Sequence, residues 1–169
     1  MKKTFLLILT AVMGMCSTAQ TLYQDCDEFT DKCYYYSNRK IVVTNETEDV
    51  GFAISFMFEE NPDKAIISGL IVKMIGLGTC VENNDLYFMM EDNSRIALHS
   101  WNDFNCEGDA YFFLSESDIQ LLRTQRLKGT KITNGRTYDS LTAFFKERDK
   151  NYLMEIISLA DSNTYIQAK

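Results

Sequence analysis

The chain has 169 residues, with 24 acidic against 17 basic side chains and a single histidine. Its formal charge of −7 works against phosphate backbones and anionic membranes, so nucleic-acid binding is not expected. The length suits one domain with a sizeable core, and the charge is what a soluble surface, or a surface meeting a cationic partner, would carry.

Residues 1–19 read as a secretory signal. Lys2 and Lys3 form a basic start, and Thr4–Cys16 is an apolar run too short to span a bilayer. Ser17 and Ala19 put small residues at −3 and −1 before Gln20. A lipoprotein signal with Cys16 acylated would ask for Gly, Ala or Ser in front of it, and Met15 stands there. Cleavage after Ala19 leaves 20–169 as a single exported domain, in the periplasm or at the cell surface. Removing Lys2 and Lys3 from the 17 basic residues leaves 15 against 24 acidic ones, a net charge of −9.

The mature chain opens on Cys26 and Cys33 around the short turn "DEFTDK". "CYYYS" (33–37) and "KIVVT" (40–44) are strand-like, and either "NRK" turns the chain between them or one long strand runs through. In a strand, Tyr34, Tyr35 and Tyr36 alternate faces, so the run cannot be wholly buried. "VGFAISFMF" (50–58) and "AIISGLIVKMIG" (65–76) form a hairpin around Pro62. Gly69 inside the second run signals a bulge or a close backbone approach. A loop follows, then strands Asp85–Glu91 and Arg95–Trp101 around a turn near Asp92-Asn93. "AYFFL" (110–114) reads as a further buried strand. It runs into a short helix capped by Ser115, with Asp118 placed to complete the capping pair. "LKGTKIT", Asn134-Gly135 and "RTYDSLTAFF" read as a tight hairpin, the Asn-Gly supplying positive φ. Tyr152, Leu153, Ile156, Ile157 and Ala160 fall at helical spacing, giving a C-terminal amphipathic helix capped by Asp149. The tail "SNTYIQAK" is expected to fray or to dock weakly.

Strands in runs, then a helix, a hairpin and a helix, predict an α+β domain. The expected architecture is an antiparallel sheet of about seven to nine strands, with the short helix and a C-terminal helix packed on one face. Met57, Met74, Met89 and Met90 are expected to fill gaps in its core.

Four cysteines outside the signal, in an exported chain, point to disulfides with three possible connectivities. Paired residues in an antiparallel hairpin have a constant number sum. A two-residue loop at 92–93 gives 185, and a three-residue loop ending at Ser94 gives 186. Extended outward, these registers bring Cys80 opposite Asn105 or Cys106. Cys80 therefore pairs with Cys106, and Cys26 with Cys33 by elimination. A bridged Cys106 cannot act as a thiolate nucleophile for His99.

"DEFT" near the mature N-terminus, the strand–turn–strand after it, and "LSESDIQLLRTQRLKGTKI" followed by a hairpin and terminal helix resemble small exported proteins of Bacteroidetes-type bacteria. The likeness covers most of the mature chain. It implies an exported α+β domain and no reaction, cofactor or catalytic residue. Asp31 follows "DEFT" where the resemblance would place a glycine.

The chain carries no HExxH, GxSxG, P-loop or dinucleotide motif, so no cofactor, metal site or catalytic residue is expected. "VENNDLY" and "WNDFNCEGD" hold oxygens but lack the spacing of a calcium loop. His99 reads as a partly buried, hydrogen-bonded sheet residue. Trp101, Asp103 and Phe104 are the binding candidates. Exposed aromatics in a polar loop stack on sugar rings or anchor proteins, whereas a buried Trp101 would pack beside the Cys80–Cys106 bridge. The reading is thus a non-enzymatic exported binding or accessory domain acting on a protein or glycan of the cell envelope. The alternatives are a small hydrolase using carboxylates around 101–109, or a secreted inhibitor. No integral membrane segment follows the signal, and the sequence does not set an oligomeric state.

Overall fold

The computed structural model describes residues 20–168 apart from 39, 46, 48–49, 77–79 and 102–104. The expected signal segment thus lies outside the described residues, as do Asp103 and Phe104. The fold is α+β. Eleven strands are described, in three sheets instead of the one expected.

A first sheet joins β1 (Leu22–Asp27), β2 (Lys32–Ser37) and β11 (Ile166–Gln167), with β1 in the middle. A second has the order β10 (Ser140–Phe144), β9 (Leu127–Thr133), β6 (Asp85–Met90), β7 (Arg95–His99). A third has the order β3 (Ile41–Thr44), β4 (Gly51–Phe58), β5 (Ile67–Ile75), β8 (Asp109–Phe113). The helices are α1 (Glu116–Thr124) and α2 (Tyr152–Asp161). "CYYYS" and "KIVVT" therefore belong to different sheets.

Period-two alternation builds one core between the second and third sheets. Phe52, Ile54, Phe56, Leu70, Val72 and Phe112 face it from the third sheet, and Leu86, Phe88, Ile96 and Ile132 from the second. Leu153, Ile156 and Ile157 of α2 join the same cluster. Tyr152, Leu153, Ile156, Ile157 and Ala160 are its buried residues, as the periodicity required. Met74 and Met90 lie in the core, but Met57 and Met89 fall on the outer faces that alternation assigns to odd positions there. Tyr35 is buried while Tyr34 and Tyr36 are exposed.

Ser115 caps α1 with a complete capping box. By contrast, Asn151 precedes α2 without a side-chain bond, and Asp149 sits buried in a 3-10 turn instead of capping. The tail docks through a short, exposed strand. Tyr23 and Gln24 of β1 pair with Ile166 and Gln167 in parallel, and Tyr165 packs edge-on against Tyr35 at 5.3 Å. Gly69 makes the expected close approach, since a Cβ there would lie 2.2 Å from the Phe112 carbonyl oxygen.

The Asn-Gly hairpin is not tight. β9 and β10 are joined by residues 134–139, and the positive φ falls on Tyr138 (62°). Gly135 instead lets another loop press close: a Cβ on it would sit 2.1 Å from the Asn83 carbonyl oxygen. Asn134 Nδ2 donates to the Cys80 carbonyl at 3.1 Å. This pair is spent on docking two loops, which local turn chemistry cannot reveal.

Both disulfides form, Cys26–Cys33 and Cys80–Cys106. They fit an oxidising, exported compartment. In the first, the two cysteines face each other across β1 and β2. Asp27 accepts from the backbone N–H groups of Phe29 and Thr30, and Asp31 closes the turn at φ 56°. An L side chain is strained there, so Asp31→Gly should raise the urea midpoint, by about 0.5 kcal/mol in stability.

A charged network ties β6 to the entry of α2. Glu91 bonds Arg126 at 3.1 Å and Lys150 at 2.9 Å, while Glu147 bonds Arg126 and Lys150. Hydrogen bonds from Lys150 and then Arg126 hold the Glu147 carboxyl down at about 2, against an ordinary 4.5. The folded state therefore favours the ionised form. Its contribution is complete above about 4.5 and is lost as pH falls toward 2. Denaturant titrations across that window should show stability falling with pH, with a shallower fall in Glu147→Gln.

Candidate functional site

The outer face of the third sheet carries the aromatic residues that the core leaves out. Along β8, Ala110 and Phe112 point inward, which puts Tyr111 and Phe113 on the outside. Register then fixes their neighbours. Tyr111 lies beside Ile71 and Ser55, and Phe113 beside Gly69 and Met57. The next rank runs Val42, Ala53, Lys73, Asp109, with Lys73 and Asp109 ion-paired at 3.4 Å.

Trp101 reaches this face from the other four-stranded sheet. It follows β7, and its backbone N–H donates to the Tyr111 carbonyl at 3.0 Å, joining the two sheets at that edge. The indole stacks on Phe113 at 5.2 Å with planes 14° apart, and tilts against Tyr111 at 5.6 Å. Trp101 keeps 52% of its surface exposed and Phe113 59%. The indole therefore lies on the outer face and not in the core beside the bridge. Offset, near-parallel rings are a favoured aromatic arrangement, so the pair holds its shape without being buried.

The base of this loop is clamped twice. Val81 and Asn105 exchange backbone hydrogen bonds at 2.8 and 3.2 Å, and Cys80 is bonded to Cys106 next to them. The hairpin register differs from both registers expected. Pairs such as Leu86–Leu98 sum to 184, because Glu91, Asp92 and Asn93 form the loop, with Asn93 at φ 68°. Two extra residues between Ser100 and Asn105 then restore the cysteine match.

His99 is exposed, and not partly buried as expected. Its Nδ1 lies 2.9 Å from Asp85 Oδ1 directly across β6. Cys106 is bridged, so this His–Asp pair has no thiol to activate. The carboxylates nearest the candidate loop are occupied or isolated: Asp109 pairs with Lys73, and Glu107 stands exposed. A cleft of about 530 Å³ lies elsewhere, lined by Asp63, Glu116, Ile119, Arg123, Asp161 and Asn163. There Arg123 grips Asp161 through two hydrogen bonds of 2.8 and 3.0 Å. Among the described residues no group of three His, Cys, Asp or Glu could hold a metal ion. Nor is any described helix long and apolar enough to cross a membrane.

Sequence reasoning singled out Trp101 but missed Tyr111 and Phe113, which "AYFFL" presents as a uniformly buried strand. Strict alternation on an edge strand was the signal that could have found them. Comparison of the chain with protein-family models, with curated proteins and with solved structures finds no match.

Proposed function

We propose that the mature chain is a non-enzymatic binding domain of the periplasm or cell surface, engaging an envelope glycan or protein through the Trp101–Tyr111–Phe113 face. The carrying observation is the half-exposed stack of Trp101 on Phe113, clamped at its base by a disulfide. Large rigid aromatics contribute contact area at low entropic cost, and they concentrate binding energy at interfaces. The flanking Lys73–Asp109 pair adds polar groups at the rim. Isolated envelope polysaccharide and isolated envelope protein, tested separately against immobilised mature chain, decide between the two ligand classes. Trp101→Ala should weaken whichever binds by roughly tenfold or more, as truncating an interface anchor does. Unchanged binding in Trp101→Ala and in Phe113→Ala would remove the proposal.

One observation favours a second reading, a secreted inhibitor. Phe29 is 97% exposed at the tip of the β1–β2 hairpin, whose ends the Cys26–Cys33 bridge pins together. A stapled tip with a protruding ring is built to enter a partner's pocket. Loss of binding in Phe29→Ala, with Trp101→Ala unaffected, would select this reading.

A further inference from the structure

The outer face of the second sheet holds a separate groove of about 250 Å³. Register places its residues in two ranks across the sheet. The first runs Arg95, Met89, Gly129, Phe144, and the second includes Tyr87 and Lys131. Gly129 gives the groove its floor. A Cβ there would lie 3.1 Å from Phe144 Cδ1 and 3.2 Å from the Ala143 carbonyl oxygen, so the missing side chain is what lets the Phe144 ring lie alongside the strand. Phe144 is 69% exposed and Tyr87 41%, with Met89 partly buried between their strands.

The charge on this groove is opposite to that of the molecule. Arg95 and Lys131 both line it, and neither makes an ion pair among the described residues. Of the other cations, Lys32, Lys73, Arg123, Arg126 and Lys150 are matched to carboxylates and Lys128 bonds Asn93. These two cations stand on β7 and β9, either side of β6 and one rank apart, roughly 12 Å apart at the backbone. Their long side chains can reach one shared anion, and an arginine near a carboxylate forms the stronger, charge-assisted bonds.

We infer that this groove binds a small amphipathic carboxylate. Its apolar part lies over Gly129 against Tyr87, Met89 and Phe144, and its carboxylate lies between Arg95 and Lys131. At about 250 Å³ the groove lies just below the roughly 300–1,000 Å³ of pockets for drug-sized molecules, which suits a smaller ligand. Two cations beside an apolar floor, with no acidic residue in the lining, match a ligand that carries one carboxylate and one apolar part.

The test is a backbone NMR titration of the mature chain with octanoate, octanamide and acetate. Octanoate should shift the amides of Tyr87, Gly129 and Phe144 and bind about tenfold more tightly than octanamide, with acetate weaker than both. The Arg95→Gln/Lys131→Gln double variant, changed only at exposed positions, should erase the preference for octanoate over octanamide. Trp101 emission should stay constant, because that face is not involved. Equal binding of octanoate and octanamide, shifts confined to the Trp101 face, or binding of anionic vesicles without octanoate binding would each overturn the inference.

Discussion

Ile156→Asp should leave the chain without a cooperative unfolding transition. Ile156 is fully buried in α2, within the cluster that receives side chains from both four-stranded sheets. Truncating such a residue costs about 2–5 kcal/mol in lost burial and cavity. Placing a carboxyl there without a partner adds several kcal/mol more, whether it stays charged or takes up a proton. Together these approach the roughly 5–15 kcal/mol that holds a domain of this size together. Ile156→Val is the control, expected to cost about 1 kcal/mol and to keep a sharp transition. Thermal or urea unfolding followed by circular dichroism reads both. A folded, cooperative Ile156→Asp would mean that α2 does not close this core.

Opening the Cys80–Cys106 bridge carries the second large effect. The bridge spans 26 residues of chain, and the Cys26–Cys33 bridge spans 7. Loop-closure entropy then assigns about 3.5 kcal/mol to the longer and about 2.4 kcal/mol to the shorter. The double serine variant at 80 and 106 should lose the larger amount in a urea titration. It should also loosen the segment around Trp101, because hydrogen bonds such as those between Val81 and Asn105 would then clamp its base without the covalent link. Hydrogen exchange at Val81 and Asn105 should therefore quicken more than global destabilisation alone requires. In the variant opening Cys26–Cys33, those two amides should keep their protection relative to global stability. Equal losses of stability in the two variants would contradict the entropic ranking.

Features set by local periodicity were legible before any coordinates. The buried face of α2 follows from helical spacing, the α1 cap from Ser115 and Asp118, and the hairpin of residues 50–58 and 65–76 from its two apolar, β-branched runs around Pro62. Features set by tertiary contact were not. Gly135 looks like a turn glycine in isolation, but its missing Cβ makes room for the Asn83 carbonyl. Ile166 and Gln167 form a strand only because β1 offers them a free edge. The cysteine pairing was legible although the register was not. The hairpin loop and the two extra residues after Ser100 shift the count in opposite directions, and the errors cancel.

The candidate site was legible in one residue of its three. Trp101 stood out as an aromatic beside a stapled loop, and the structure puts it at the surface. Tyr111 and Phe113 were read as buried because "AYFFL" is apolar throughout. An edge strand of one four-stranded sheet, crossed by the end of another, leaves alternate aromatics outside, and no single segment encodes that crossing.

The sole tryptophan of the chain lies in the face proposed to bind, so its fluorescence tests the central claim directly. The chain alone should emit as a largely solvated indole and be quenched readily by acrylamide. Saturation with the envelope polysaccharide or protein that it retains should shift that emission to the blue and protect it from the quencher. Binding that leaves both emission and quenching unchanged would place the partner elsewhere and contradict the account.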